Sequence, residues 1–590
     1  MTGSKTILEA AMEIALPKET LDRIAQKFGP DKARSCAMST SVGGIGPLLR
    51  ERIFEQAEQG IDVIGVTLLY ESVWVQAWHE WEQVNLQKIK VAEEIRKECT
   101  PSNLDFELDL FDGKKISVKV WELAYGKAKV YFLDAPEVTD MVYPGPKDAP
   151  AMVQNPYAWS HNHRLKQSWL VGRGALALSK KLNRKPDIAI LSETPTLFVH
   201  HRLVQDTFQK DAFFKDVKYI FNDHTPLEYA HPIWDPYTLE LVKVDTDLYT
   251  NTPAWNSHKM ALDVTSLLTG YCDGVYGVAK KHGDVMQAMP SLHMYADRIK
   301  YITNGVRVED WQAPEFNQSE KLSDKELLAV KEKKKADLIS WAWRRFRLWP
   351  TWALEAKTKK IVLWTRRITP YKRLDLLPKI LRQPDLRARF LNCDIILFVG
   401  GRIHQQDNHA QDIVYDLLDL LAHDNELSQR VIFIDNFNVW EAPILFQGAD
   451  GALMLADDTR EASATGFMKA QMNGAAILAT ADGAIPEFVN FFPDGKQPLP
   501  TTPSSPDAGY NGFNIPYIKG EPTVMGLLEA FEAMNRTFKN PANVVSTMRA
   551  ALAATEKVSV ARTVREMIIL YEHVSPTIAP PPSPAQSVSH

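Results

Sequence analysis

Cysteine is scarce: Cys36, Cys99, Cys272 and Cys393 are the only four in 590 residues, and none forms a CxxC pair or a metal-like spacing. That excludes a disulfide framework and a cysteine-built zinc site, so no metal is expected, and it fits a reducing cytoplasm. Long hydrophobic runs are also missing, since no stretch reaches the roughly 18 apolar residues a membrane-spanning helix needs. The opening MTGSKTILEAAMEIALPKET lacks a basic segment followed by an unbroken apolar one, so no export signal is predicted. Nor is there an excess of positive charge. Lys and Arg number 68 against 73 Asp and Glu, a net −5, which gives no broad electrostatic case for nucleic acid or an anionic membrane. Any anion site has to be local.

What is present points to a large globular enzyme. A chain of this length exceeds what one hydrophobic core supports, and two large domains are the first expectation. Hydrophobic residues at 45% and charged ones at 24% are ordinary for such a protein. Short apolar runs bounded by polar turns, IDVIGVTLLY, AKVYFLD, DIAILSE and VKYIFNDH, read as buried parallel strands between amphipathic segments. After the charged stretch SEKLSDKELLAVKEKKKADLISW the alternation restarts with KIVLWTRR, CDIILFVGG, RVIFIDNF, GALMLA and AAILATADG. The predicted fold class is therefore α/β, with two Rossmann-like doubly wound domains over residues 1–320 and 321–572 and a junction within 310–345. The KEKKK run reads as a solvated helix face near that junction. A helical segment near 541–572 can pack on either domain, and the Pro/Ser-rich residues 573–590 are expected to be disordered.

Three segments carry chemistry. In SVGGIGPLLRERI, Gly43, Gly44 and Gly46 precede an amphipathic run beginning at Pro47, a pattern that lets backbone N–H groups and a helix N-terminus meet an anion. A plain tight turn is an equal reading. VLWTRRITPYKRLDLL puts Arg366, Arg367, Lys372 and Arg373 just past a strand, at the end where open α/β sheets bind ligands, and a mixed guanidinium and ammonium cluster suits a dianion. In TREASATGFMKAQMNG a polar loop with Glu461, Ser463, Thr465 and Gly466 leads to Lys469, set among small and apolar residues. Burial there would lower the amine's pKa and free it to condense with an aldehyde, while an ordinary surface lysine is the alternative.

The stretch EASATGFMKAQMNG, Glu461 to Gly474, closely resembles the cofactor-lysine signature of the glycogen/α-glucan phosphorylase family, EASGTxxMKxxxNG. RLKQ at Arg164, HTP at His224, ITNGV at Ile302, RRITPYKR at Arg366 and GGRIH at Gly400 resemble family blocks in family order. The resemblance implies two Rossmann-like domains facing across a cleft, the GT-B arrangement, and phosphorolysis of terminal α-1,4 bonds of glycogen, starch or maltodextrin to α-glucose 1-phosphate with retention. It implies pyridoxal 5′-phosphate on Lys469, with Arg366, Thr465, Gly466 and Gly44 near the coenzyme phosphate. Arg367 and Lys372 would hold the substrate phosphate, helped by the Gly43-Gly44 turn. Glu461 and Tyr371 would meet glucosyl hydroxyls, with Ser463 and Ala464 beside them, and Asn304 and His224 would lie near the reacting glucose. The implied partners are an α-1,4-glucan or maltooligosaccharide, inorganic phosphate and, as in many family members, a second copy of the chain.

The sequence also departs from the family. SETPTLF stands where NEGHAAF is usual, keeping Glu193 but placing Pro195 at a histidine position; Ala464 replaces a glycine, and Phe467 fills a small or polar position. Two other readings remain open on sequence: a nucleotide-sugar glycosyltransferase of the same architecture, and an inactive glucan-binding homologue.

Overall fold

The computed structural model describes residues 5–78, 84–227, 230–493 and 509–576. Most of the Pro/Ser-rich tail expected to be disordered lies outside the described residues. Seven parallel strands form the first sheet: β1 (Thr6–Ala10), β2 (Asp62–Leu68), β3 (Ala128–Asp134), β4 (Ile188–Ser192), β5 (Lys218–Asp223), β6 (Gly274–Gly277) and β7 (Ile299–Tyr301). Their order is β7-β6-β5-β4-β1-β2-β3, and beyond β3 the sheet continues antiparallel with Lys115–Tyr125. The second sheet is wholly parallel: β8 (Lys360–Thr365), β9 (Ile395–Gly400), β10 (Val431–Ile434), β11 (Gly451–Met454), β12 (Ala476–Ala479) and β13 (Gly512–Asn514), in the order β10-β9-β8-β11-β12-β13.

Every residue of β4 and of β9 is buried, because helices cover both faces of these sheets. This is why the strands appear in the sequence as unbroken apolar runs rather than alternating ones. The nine apolar runs singled out in the sequence all contain a strand of these two sheets. Each sheet also reverses its winding once. In the first the chain moves outward through β2 and β3 and then returns to the other side of β1 to lay down β4; in the second the reversal falls between β8 and β11. Such reversals open crevices at the carboxyl ends of the strands, where open α/β sheets bind ligands.

Six helices frame the cleft and its surroundings: α1 (Lys18–Phe28), α2 (Ile45–Glu58), α3 (Asp324–Phe346), α4 (Ala442–Gly448), α5 (Gly466–Gln471) and α6 (Val560–Val574). Helix α3 covers most of the expected junction. It starts at a capping box in which Ser323 Oγ accepts from the Glu326 N–H and Glu326 accepts from the Ser323 N–H at 2.8 Å. The KEKKK run on this helix is not uniformly solvated. Lys331 is buried and donates to the carbonyls of Ala449 and, at 3.0 Å, Asn473, while Lys335 is buried against Asp450 at 2.9 Å. The face carrying positions 331 and 335 packs on the second sheet's helices, so these two ammonium groups satisfy carbonyls that would otherwise be orphaned.

The last helix, α6, falls in the segment assigned by sequence to the second domain, but it crosses back. Its Met567, Tyr571 and Val574 share a core with Ile7, Ile188, Ile190 and Ile220 of the first sheet, and Tyr571 Oη donates to Gln56 Oε1 at 2.9 Å. Amphipathic periodicity reveals that such a helix has an apolar stripe, not which sheet will cover it.

Candidate active site

The two reversal points face each other across a cleft, and the charged residues just past the strands line it. On the first rim, Glu13 follows β1. It is 3% exposed and accepts from the Val42 backbone N–H, and burial pushes its carboxyl above the usual range, opposed by Arg402 and Arg367. Glu193 follows β4 with φ +66°, a left-handed conformation unfavourable for a side chain with a Cβ. Thr225 Oγ1 donates to Glu193 Oε1 at 2.5 Å, while burial and the neighbouring Asp223 push the carboxyl up to about 7. Asp223, at the end of β5, is itself held well below the ordinary range. Burial opposes this, but His231 hydrogen-bonds to it at 3.1 Å and the His282 ring faces it at 3.4 Å.

The second rim is cationic. Arg366 and Lys372 both reach Glu461, Lys372 Nζ at 3.1 Å, so one carboxylate bridges a guanidinium and an ammonium. Burial, reinforced by Arg366 and Arg367, pulls Lys372 down to about 7. Burial acts oppositely on Glu461, yet Lys372 and Arg366 hold it down to about 2. Thr365 Oγ1, Arg366 Nε, Thr369 Oγ1 and Ser463 Oγ are buried here without hydrogen-bond partners among the described residues. Several orphaned polar atoms in one place are what a polar ligand site looks like before the ligand is added.

The structure joins some predicted residues and separates others. Gly43 meets Arg367 across the cleft: a Cβ built on Gly43 would lie 3.6 Å from Arg367 Cδ, and one built on Gly44 would point into open space. Tyr371 lies beside Lys372, whose Nζ is 5.1 Å from its ring centroid. Arg373 leaves the cluster; its backbone turns left-handed at φ +56° and its guanidinium pairs with Asp457 at 3.0 Å and Glu521 at 2.7 Å. His224 is half-buried on the first rim with Nε2 2.6 Å from the Asn222 amide, and desolvation depresses it to about 3, so it is a neutral imidazole. Asn304, 6% exposed, is fixed through its backbone to Val278 and Arg562.

Lys469 sits apart from Arg366 and Lys372. From α5 its ammonium lies 3.7 Å from the Trp311 ring centroid, and among the described residues no acceptor is within hydrogen-bond distance. Burial pulls it down to about 8, opposed by Glu51 and reinforced by Arg50. Thr465 and Gly466, one turn earlier, are half-buried at the start of α5. Ala464 has φ +64°, which accounts physically for the glycine the family signature carries there. Ala464→Gly is therefore expected to raise the urea midpoint by about 0.5–1 kcal/mol of stability; an unchanged or lower midpoint would contradict this account. Phe467 is fully buried and packs near Phe488 at 6.3 Å, so that departure serves the core. Pro195 lies in the two-turn 3₁₀ segment Thr194–Val199 directly after the strained Glu193.

Glu13, Glu51 and Glu193 were not singled out as site residues from sequence. A lone acid inside an apolar run, as in AMEIAL, is the only local signal for Glu13. The raised Glu193 yields a stability prediction. Its folded-state pKa lies above the unfolded carboxylate value, so its favourable contribution is complete below about 4.5 and is lost as pH rises to about 7. Glu193→Gln removes that titration, so its stability relative to wild type should rise from pH 5 to pH 8. Chemical denaturation at both pH values measures it, and a constant difference would disprove the raised pKa.

Comparison with known proteins agrees with this geometry. A family model described as carbohydrate phosphorylase matches residues 314–492, and one described as the starch synthase catalytic domain matches residues 33–304. A glycogen phosphorylase of Aquifex aeolicus is 23% identical over 519 residues, covering 75% of this chain and 71% of that one. A maltodextrin phosphorylase of Thermococcus litoralis is 22% identical over 506 residues, covering 75% and 58%. The chain thus spans between about three fifths and seven tenths of these relatives' lengths. The solved catalytic domain of starch synthase IV from Arabidopsis thaliana, bound to ADP and acarbose, superposes with a TM-score of 0.68 at 14% identity, covering 97% of this chain and all of that one. That likeness fixes the fold as GT-B. On that fold, the chain is similar to carbohydrate phosphorylases over residues 314–492 and to the starch synthase catalytic domain over residues 33–304.

Proposed function

We propose that this chain is an α-glucan phosphorylase that transfers the terminal glucosyl unit of an α-1,4-glucan to inorganic phosphate, giving α-glucose 1-phosphate with retention. The observation that carries this reading is the buried Arg366–Glu461–Lys372 cluster at the second reversal point, beside four unpartnered polar atoms and opposite the Gly43-Gly44 turn. Arg367 and Lys372 bind the phosphate dianion. The low dielectric of a closed cleft makes each charge count for more than it would in water. Glu461, Tyr371 and the Ser463-Ala464 backbone are the groups for sugar hydroxyls, and a site built from buried polar atoms rejects a sugar that leaves them unpaired. His224 and Asn304 complete the wall on the first rim.

The residues around Lys469 suit pyridoxal phosphate. Its amine is nine-tenths buried, has no acceptor among the described residues and is less basic than an exposed lysine, so it is available for covalent attachment. Thr465, Gly466 and Arg366 are the groups for the coenzyme's phosphate, with Gly44 across the cleft. When bound, the coenzyme would supply a phosphate acid–base group beside the substrate phosphate. This accounts for a cleft rich in cations at its second rim.

The starch synthase catalytic-domain match over residues 33–304 favours a second reading, transfer from a nucleoside diphosphate sugar. Incubation with maltodextrin and phosphate, followed by assay for glucose 1-phosphate, decides between them. Phosphorolysis predicts that product in proportion to the glucan shortened. Release of free glucose alone, or chain extension only with a nucleotide sugar, would refute it.

A further inference from the structure

A chain of buried contacts runs from the first unit to the amine of Lys469. Trp311 ends the short helix Val308–Trp311 at the junction of the two units, and the face of its buried indole lies against the Lys469 ammonium. The ring quadrupole attracts a cation placed there, and the attraction grows when both are removed from water. The junction backbone is clamped to the segment after α5. Asn473 donates to the Trp311 carbonyl at 3.0 Å and to the Lys469 carbonyl at 2.9 Å, and accepts from the Ala313 N–H at 2.8 Å; Gln312 Nε2 donates to the Met472 carbonyl at 2.7 Å. At the opposite edge of the ring, Trp311 Nε1 donates to Glu51 Oε1 at 2.8 Å.

Glu51 is buried on α2, the helix that follows the Gly43-Gly44 turn, and its second oxygen accepts from the Arg307 N–H at 2.7 Å. One carboxylate oxygen is thus committed to the indole and the other to the junction backbone. Its neighbour Arg50 pairs with Asp310 at 2.6 Å and lies 3.4 Å from Glu51 Oε1. Among the described residues the charged groups facing Lys469 are Glu51 and Arg50 from α2 and Asp310 from the junction, and α5 itself adds none. Burial lowers Lys469 to about 8 and raises Glu51, and each is the charge that most strongly opposes the other's shift. In a low-dielectric interior such a pair interacts far more strongly than in water. We propose that Glu51, with the Trp311 indole as its bridge, is a positioning residue for Lys469: it fixes the free amine against the ring face as a charged, oriented group and ties its release for covalent attachment to the first unit. The inference rests on the proposed coenzyme role of Lys469. Condensation with an aldehyde starts from the neutral amine, which must first give a proton to solvent; its lone pair then forms the C–N bond and its two hydrogens leave with the carbonyl oxygen as water. Weakening the hold of Glu51 therefore frees the amine at lower pH.

The test uses the full chain, freed of coenzyme with hydroxylamine, as wild type, Glu51→Gln, Glu51→Asp and Trp311→Phe. Reductive methylation with formaldehyde, read as the mass of the Lys469 peptide, gives the pH midpoint of the amine's reactivity without any coenzyme. Borohydride trapping of pyridoxal phosphate on the same preparations gives the pH midpoint of attachment. Glu51→Gln keeps an acceptor for Trp311 Nε1 but removes the charge, so both midpoints should fall by about 1 pH unit, the scale of losing one close opposite charge. Trp311→Phe keeps a ring face but cannot donate to Glu51, and should lower both midpoints by less. Glu51→Asp keeps the charge and should stay nearer wild type than Glu51→Gln does. Midpoints unchanged in folded Glu51→Gln would overturn the proposal, and so would Glu51→Asp moving them as far as Glu51→Gln, which would leave Glu51 a packing role only. Should Glu51→Gln fail to fold, unchanged midpoints in Trp311→Phe decide in the same sense. The two readings fail separately: a methylation midpoint that depends on Glu51 in a chain that never takes up pyridoxal phosphate keeps the positioning role and removes the coenzyme, whereas trapping at Lys469 with midpoints indifferent to Glu51 does the reverse.

Discussion

Lys469→Ala should purify without pyridoxal phosphate and lose phosphorolytic activity by three orders of magnitude or more, the scale typical of removing an essential catalytic element. The argument rests on the state of the amine. An exposed lysine is protonated and hydrated, and neither condition favours attachment to an aldehyde. Lys469 is buried on the Trp311 indole without an acceptor among the described residues and is depressed to about 8, so a larger fraction is neutral near physiological pH. Glu51 and Asp310 nearby keep it from falling further. Lys469→Arg, which keeps the positive charge but not the nucleophile, should fail like the alanine variant if attachment is the role; if the role is a buried charge opposite Glu51, arginine should restore function. Borohydride reduction and peptide mapping of wild type gives the direct readout. Fully active enzyme with Lys469 unmodified would end the coenzyme assignment.

The strands of this fold can be read from sequence because helices bury both faces, which turns each strand into an uninterrupted apolar run. β1 is the exception among the central strands. TILEA flows directly into AMEIAL, so no polar turn separates strand from loop, and the five residues of β1 do not stand out. The same ambiguity hides Glu13. Its place at the first reversal point depends on β1 lying beside β4, a pairing between segments far apart in the chain that no local pattern encodes. The second rim is more legible because its ligands sit close in sequence: Arg366, Arg367, Tyr371 and Lys372 follow one strand, and Glu461 to Lys469 follow another. Even there, adjacency misleads. Arg373 is next to Lys372 but points away, because the intervening backbone turns left-handed and surface carboxylates capture the guanidinium. Lys331 and Lys335 teach the complementary lesson, since which lysines of a charged run are buried depends on which carbonyls and carboxylates around the second sheet they meet.

Lys372→Ala should separate substrate phosphate binding from coenzyme binding: the variant keeps its coenzyme but loses about 10²–10³ in turnover, the usual cost of one donor at a developing charge. Lys372 is 8% exposed, and its depressed pKa of about 7 arises from burial together with the repulsion of Arg366 and Arg367. That value has a sign consequence. A bound phosphate dianion stabilises the protonated amine, so binding takes up a proton when the pH is near or above 7, and phosphate affinity should weaken as pH rises through and beyond that point. Glu461 contributes no titration of its own in this range, because Lys372 and Arg366 hold it ionised down to about 2. Lys372→Arg keeps a charge that does not titrate near neutrality, so it should bind phosphate with a flatter pH dependence, although an altered fork geometry will cost turnover. The contrast between the two variants isolates the charge from the shape. Measuring KM for phosphate against pH in wild type, Lys372→Ala and Lys372→Arg, with coenzyme content determined on the same preparations, gives the answer. Normal turnover of Lys372→Ala at saturating phosphate, or loss of coenzyme together with activity, would show that Lys372 does not hold the substrate phosphate.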